Sequence, residues 1–513
     1  MARIKEAHAL RRDQVIALEV LSLAQGGAGV AKVGGVPVFI ERSAPGDKVQ
    51  VRLFDVRKDF ARGAIEQIDE PSTQRQTPPC FHFERCGGCQ WQHIDYAHQA
   101  SAKEDLVRQA LVRLGGYPAE LIESITQPII SATETGTELR YRNKAQFPVK
   151  SKQGQILAGY FERGSHDLVN IDRCVIQPEQ MDKVLHALKA LLTKYRLTAY
   201  SEEKHRGLVR HINLRQSATT GGMLVTIILN YAAPAHDDLN EREELQVFFE
   251  IAEELLSEMD FVEGFALNFN PDKGNRIMGD VTVNVAGRGY IEEVLKTNSH
   301  ELPEVLRKGL TFKLSAESFF QVNTRQSERM LEEIAHMTMT ALGSRTDAII
   351  VDAYAGVGTI ALWLSSFASE VYAIEENALA VEDGLENARI NGLRNLTFEA
   401  MRVEDALDNY IGENKVDVLV LDPPRKGVDI SVLRSIKQHG PDHLIYVSCN
   451  PTTLARDLKI LREPAAEGED CLPYGYKVLR VQPLDMFAQT YHVETICLLK
   501  RIEYGALGHL AKE

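Results

Sequence analysis

Val351-Asp352-Ala353-Tyr354-Ala355-Gly356-Val357-Gly358-Thr359 is an apolar run that breaks into a glycine turn ahead of helix-length sequence. A strand feeding such a turn opens a βα unit, because glycine lets the backbone turn tightly and approach a ligand. The alternation repeats on both sides. Apolar stretches at residues 348–353, 370–375, 395–400, 416–422 and 443–448 are each followed by helix-length sequence. That pattern predicts a parallel, doubly wound sheet of the α/β, Rossmann-like class. Residues 476–481 and 492–501 have no helix between them and are predicted to close the sheet as an antiparallel pair.

Toward the N-terminus the pattern changes. Residues 80–310 mix helical spacing (96–114, 180–195, 241–259) with strand candidates (144–149, 223–229, 264–268), an α+β arrangement. Residues 14–70 are short apolar stretches separated by glycine turns, which suits a small barrel of the OB type. The expected domains are 1–72, 73–310 and 311–513.

By itself the glycine turn fits either a nucleotide-type cofactor site or a purely structural βα turn. Glu375 ends the next strand, about where an acid receives ribose hydroxyls in dinucleotide folds. Ala361 or Leu362 stands where a phosphate-binding third glycine would be needed. A cofactor with a ribose but no pyrophosphate, S-adenosylmethionine, fits better than NAD. The fourth strand ends in Asp422-Pro423-Pro424-Arg425-Lys426-Gly427, which puts Asp422 at the cofactor edge. Enzymes that methylate amino nitrogens carry an aromatic residue after the two prolines, so Arg425 points to other chemistry. The bland alternative is a proline-rich loop that merely ends a strand.

The fifth strand runs into Ser448-Cys449-Asn450-Pro451-Thr452-Thr453. A buried cysteine is normally inert packing, and that reading serves for Cys471 and Cys497. Cys449 instead falls just past a strand end, in a turn on the cofactor edge. Carbon 5 of uracil is a poor nucleophile, and a thiolate added to carbon 6 converts the ring into an enolate that can attack a sulfonium methyl. A free thiol has a pKa near about 8.5, so such a site must favour the thiolate.

Asp-Pro-Pro-Arg, Ser-Cys-Asn-Pro-x-Thr and the late His492-Val493-Glu494-Thr495 together resemble the RNA uracil-5-methyltransferase family. The likeness spans most of the chain. It implies Cys449 as nucleophile and Glu494 as the base for the carbon 5 proton. Phe319-Phe320-Gln321-Val322-Asn323 belongs to the same resemblance, which implies a Gln321 contact near the cofactor's methyl end and a Phe319 stack on the extruded base. Tyr354, Glu375 and Asp422 carry over as cofactor contacts. The turn reads Ala355-Gly356 where a Cys-Gly is common in the family. A base inside structured RNA must leave its stack to react, so flipping is expected.

Seven cysteines, an odd number, argue against a disulfide framework. Cys80, Cys86 and Cys89 cluster as Cys-x5-Cys-Gly-Gly-Cys, and Cys174 can supply a fourth thiolate. Four thiolates suit zinc or an iron–sulfur cluster, and spacing alone does not decide. The family resemblance implies a 4Fe–4S site.

A net charge of −14 speaks against nucleic acid at first sight, but phosphate contacts need only one basic face. Residues 14–70 resemble a TRAM domain, a small RNA-binding barrel. Arg140-Tyr141-Arg142-Asn143-Lys144 interleaves cations with an aromatic, and residues 205–211 add another cationic stretch. Arg142 and Lys144 are the candidates for backbone contact. No apolar run approaches the roughly 20 residues of a membrane helix. A monomeric cytoplasmic enzyme is expected. Ribosomal RNA is the expected substrate, with the transfer-RNA T-loop uridine as runner-up. Methylation of cytosine carbon 5 and a non-enzymatic, redox-sensing RNA-binding module are the competing readings.

Overall fold

The computed structural model describes residues 10–234, 242–413, 416–464 and 474–503. Expectations that fall on residues 235–241 and on Cys471 lie outside them. The N-terminal strands Val15–Glu19, Ser22–Leu23, Gly29–Val33, Val36–Ile40, Lys48–Val56 and Ala61–Glu70 form one six-stranded sheet. Their alternation sends Val49, Val51 and Leu53 into a core with Val38, Ile40 and Ala61, while Arg52 faces out.

In the middle of the chain, strands Val281–Gly287, Val262–Phe269, Met223–Leu229, Val209–Gln216, Lys144–Lys152, Gln155–Phe161 and Leu168–Asn170 lie side by side in that order. Helices Glu179–Lys194 and Glu243–Glu258 cover one face. Their Val184, Leu188, Phe248 and Ile251 stripes pack on Ile212, Leu214 and Val225, as amphipathic helices on a sheet must.

The third sheet matches the predicted alternation. Leu396–Ala400, Glu370–Glu375, Ile349–Ala353, Val418–Leu421 and His443–Ser448 run parallel, followed by antiparallel Glu494–Glu503 and Tyr474–Leu484 at the edge. Val418–Leu421 is buried throughout, as a strand covered on both faces must be. Chain order reverses at Ile349–Ala353. The crevice beyond that strand's C-terminal end is therefore the natural ligand site of this sheet.

Cores cross the expected domain limits at 72 and 310: Leu23 and Ala44 pack with Trp91 and Ile94. Val107, Leu111, Tyr117 and Ile122 pack with Tyr446, Leu454 and Val481. Ile291, Leu295 and Phe312 pack with Ile334 and Trp363. The backbone also crosses: Gln127 N–H donates to Val481 O (2.8 Å) and Ile130 N–H to Pro483 O (3.0 Å). Turn signals mark loops but carry no information about which core a helix will join.

One buried ion pair ties the helix Tyr96–Arg113 to the turn between the last two strands. Lys103 Nζ lies 2.5 Å from Asp485 Oδ1, both side chains fully buried, and Tyr96 Oη donates to Asp485 Oδ2 at 2.8 Å. Removing one partner leaves the other charge buried and unpaired. Asp485→Ala is expected to lower unfolding stability by about 3–5 kcal/mol, measured by urea denaturation. A change below about 1 kcal/mol would show that the pair carries little.

Candidate active site

The cleft at the C-terminal edge of the third sheet has a volume of about 670 Å³, within the range of cofactor and substrate sites. Its floor is the glycine turn. Gly356 and Gly358 have φ of +55° and +77°, and Tyr354 has +67°, conformations that cost a side-chain-bearing residue energy. The Glu375 carboxylate ties the turn to the next strand, accepting from Gly356 N–H and Asn377 N–H, both at 2.9 Å. Asp352 Oδ2 accepts from Ala361 N–H (2.9 Å) at the start of the helix Thr359–Leu364. Burial, with Asp422 and Glu375 nearby, pushes the Asp352 carboxyl far up.

The Asp-Pro-Pro-Arg loop and the cysteine turn hold each other. Asn450 caps the helix Pro451–Arg462 by accepting from Thr452 N–H at 3.1 Å, with Pro451 in its first turn. The Asn450 Nδ2 and Thr453 Oγ1 donors both reach Arg425 O at 3.3 Å. The Ser-Cys-Asn-Pro-x-Thr spacing thus presents Cys449 beside Arg425. In the antiparallel pair, Ser448 lies opposite Thr495, so the next positions outward are Cys449 and Glu494. Both line the cleft.

The electrostatics are those of three acids in a partly closed space. Burial, with Asp422 beside it and Arg425 opposing, pushes the Glu494 carboxyl up to about 8. Burial alone takes Asp422 to about 7. Burial and the Glu494 charge push the Cys449 thiol up to about 11, against Arg425. His492 is pushed down to about 4 by burial and Arg425. A carboxyl near neutrality beside a cysteine can exchange protons at physiological pH.

Gln321, Tyr354, Glu375, Asp422, Cys449, Glu494, Phe319 and Arg142 all line this one cleft. Phe319 is 67% exposed, a large ring held out into it. Lys144 is the exception and corrects the expectation of a phosphate contact there. Its Nζ donates inward to Ala316 O (3.1 Å) and Ser318 O (3.4 Å), and burial with Arg215 nearby lowers its pKa to about 6. Arg140 is likewise spent on Cys174 O and Gln177 O, and Arg210 on Asn270 O and Asp272 O. Alternating cations and aromatics cannot by themselves distinguish an RNA face from inward-turned donors. Arg402 and Phe487 also line the cleft. Arg402 follows the third strand, so the strand-end rule could have found it; Phe487 had no sequence signal.

Cys80, Cys86, Cys89 and Cys174 line a second cavity of about 130 Å³. Among the described residues, no group of three or more His, Cys, Asp or Glu side chains is arranged to hold a metal ion. Burial raises the Cys89 thiol to about 12. Arg142 lines both this cavity and the larger cleft.

A Rossmann-like sheet with this cleft at its switch point defines a class of cofactor-binding α/β protein. Residues 275–502 match the tRNA (Uracil-5-)-methyltransferase family, and residues 11–65 match the TRAM domain. An uncharacterized RNA methyltransferase of Thermosynechococcus vestitus is 37% identical over 95% of this chain and 98% of its own. One from Synechocystis is 38% identical over 96% and 97%. The crystal structure of the Pyrococcus abyssi tRNA (uracil-54, C5)-methyltransferase in complex with S-adenosyl-L-homocysteine superposes with a TM-score of 0.67. It covers 94% of this chain and 99% of that one at 22% identity, a likeness of fold.

The chain belongs to the RNA uracil-5-methyltransferase family. It is an S-adenosylmethionine-dependent enzyme with an N-terminal TRAM domain, which acts on RNA. A Cβ on Gly358 would meet Phe398 Cζ at 2.5 Å and Leu362 Cδ1 at 2.8 Å. Gly358→Val is therefore expected to displace the turn and abolish binding of S-adenosylhomocysteine, read by titration calorimetry. Wild-type affinity in that variant would remove the turn from the cofactor site.

Proposed function

We propose that this enzyme methylates carbon 5 of a uridine in large-subunit ribosomal RNA through a covalent bond between Cys449 and carbon 6. The observation that carries the reading is the placement of Cys449 and Glu494 at facing register positions in one cleft. The Cys449 thiol loses its proton to solvent and its sulfur bonds to carbon 6, moving the ring's double-bond electrons toward O4. Carbon 5 then takes the methyl group that S-adenosylmethionine supplies. The Glu494 carboxylate removes the carbon 5 proton, and the carbon–sulfur bond breaks to return the thiolate. Arg425 stabilises the anionic forms of both groups. Gln321, Tyr354, Glu375 and Asp422 hold the cofactor, and Phe319 and Arg142 hold the flipped base and its neighbours.

The barrel together with the cysteine cluster supports ribosomal RNA. The second reading, the transfer-RNA T-loop uridine, is favoured by the description of the matched family. Mapping 5-methyluridine in ribosomal and transfer RNA from cells lacking the protein separates the two. Cys80, Cys86, Cys89 and Cys174 are assigned to a 4Fe–4S cluster. A cluster with one thiolate per iron spreads its sulfurs farther apart than a single ion does, with its Zn–S bonds of about 2.3 Å. Four thiols around one cavity support that assignment. The cluster would pin the central domain; methyl transfer itself is redox-neutral. A monomer in the cytoplasm completes the proposal. Among the described residues no helix is long and apolar enough to cross a membrane.

Cys449→Ala is expected to abolish methylation with RNA binding retained, and RNA carrying 5-fluorouridine should become permanently linked to the wild-type protein through that thiol. Normal methylation with no adduct, or an active Cys449→Ala, would overturn the covalent step, and RNA binding with no methylation by the wild-type protein would favour the RNA-binding redox module.

The raised acids also set a pH dependence. Both Glu494 and Cys449 act deprotonated, and both are pushed up, so activity is gained as pH rises. Single-turnover methylation should rise about tenfold per pH unit between about 8 and about 11, where only Cys449 still has to ionise, and fall about a hundredfold per unit below about 8, where Glu494 is protonated as well. A profile no steeper than about tenfold per unit between pH 6 and 8 would remove Glu494 as the base.

A further inference from the structure

The catalytic base begins the last strand, and the turn that precedes it, residues 485–493, is held almost wholly by the N-terminal half of the chain. At its centre is Gln489, which is buried and has φ of +69°. Asn, Asp and Gly tolerate that left-handed region far better than a long side chain does, so glutamine here has to be held by its contacts. Its carbonyl accepts from Gln90 N–H and from Trp91 N–H, both at 3.1 Å. Those two amides follow Cys89 directly. Its side-chain Oε1 accepts from Gln99 Nε2 (3.0 Å), its Nε2 donates to Glu138 O (3.2 Å), and its own N–H donates to Gln99 Oε1 (3.1 Å). Gln99 Nε2 also donates to Trp91 O at 3.0 Å, which closes the loop back onto the cysteine segment.

The neighbours of Gln489 are fixed from the same side. Tyr141 Oη donates to Ala488 O (2.9 Å), and Lys103 Nζ donates to Phe487 O (3.0 Å). Phe487 and Glu494 both line the catalytic cleft. Arg142 gives a second, independent link, because its side chain is shared between the cysteine cavity and that cleft. The cysteine segment and the base are therefore joined through a few buried hydrogen bonds, with no long path of flexible chain between them.

We propose that Gln489 is a positioning residue through which the cysteine segment Cys86–Trp91 sets the placement of Glu494, so that the state of the cysteines controls removal of the carbon 5 proton and leaves sulfur addition alone. The inference rests on the covalent reading above. A base displaced by about 1 Å loses on the order of 10²-fold in rate, whereas Cys449 is held by its own turn, through Asn450 and Thr453.

The chemistry offers a test that separates the two roles. On 5-fluorouridine RNA the enzyme needs Cys449 and the methyl donor, but there is no carbon 5 proton for Glu494 to take, so the reaction stops at the adduct. On ordinary uridine RNA, turnover needs both residues. In the full-length protein, Gln489→Gly frees the hinge and keeps the carbonyl. It is expected to slow uridine turnover by about 10- to 100-fold with adduct formation within about twofold of wild type. Gln489→Asn, which tolerates the same φ and keeps an amide, should recover much of the turnover. Cys89→Ser should reproduce the split seen with Gln489→Gly, and should raise hydrogen exchange across residues 485–493.

Equal loss of both reactions in Gln489→Gly, or unchanged turnover, overturns the proposal, and Gln489→Gly decides the case alone if Cys89→Ser gives no soluble protein. If wild-type protein forms no adduct, it is the covalent reading that fails. A wild-type adduct with no split in the variants sinks the positioning role and leaves that reading standing.

Discussion

The active site depends on the direction of one strand. Five parallel strands deliver the ends of Ile349–Ala353, Glu370–Glu375, Leu396–Ala400, Val418–Leu421 and His443–Ser448 to a single edge, where loops can reach a common ligand. Glu494–Glu503 runs the other way, so its first residue, not its last, arrives at that edge. With Ser448 opposite Thr495, the thiol and the carboxyl fall on the same next rung, just beyond the last pair. A register slip of one residue would turn Glu494 to the opposite face of the sheet. That pairing is in turn secured by Tyr474–Leu484 on the outer side and by the chain at residues 127–130 beyond it.

Placing a thiol and two carboxyls in one partly closed cleft has an electrostatic consequence. Desolvation opposes the charged form of each, and each anion opposes the next. The two carboxyls are brought near neutrality, while the Cys449 thiol is held protonated, the reverse of the thiolate-favouring site that the sequence predicts. Arg425 is the counterweight, and its backbone carbonyl is the atom that the cysteine turn grips. The two prolines before it stiffen the loop, so the guanidinium and the thiol are fixed by the same few residues.

The N-terminal half, which contributes little to the wall of the catalytic cleft, acts as a brace. The Lys103–Asp485 pair, Tyr141 and the Gln99–Gln489 exchange clamp the turn ahead of the base. Trp91 Nε1 donates to Gly27 O at 3.0 Å, which brings the barrel against the same segment. Several cations that looked free in sequence are used here as internal donors. A chain of net charge −14 can therefore serve RNA only through local surfaces.

The doubly wound sheet was legible in the sequence because its strands are short apolar runs in regular alternation with helices, and the barrel because of its glycine turns. Cys449 was legible because a cysteine in a turn after a strand is chemically unusual, and the motifs around it are specific. Lys144 was misjudged, because whether a lysine faces solvent or backbone carbonyls is decided by residues far away in the chain, here Ala316 and Ser318. The part played by Gln489 had no sequence signal at all. Its partners Gln90, Trp91, Gln99 and Glu138 meet it only after three sheets have packed. Local pattern determined which elements form and which residues can do chemistry. The tertiary structure decided which of them share a cleft, since burial and long-range register are properties of the folded chain and not of any segment.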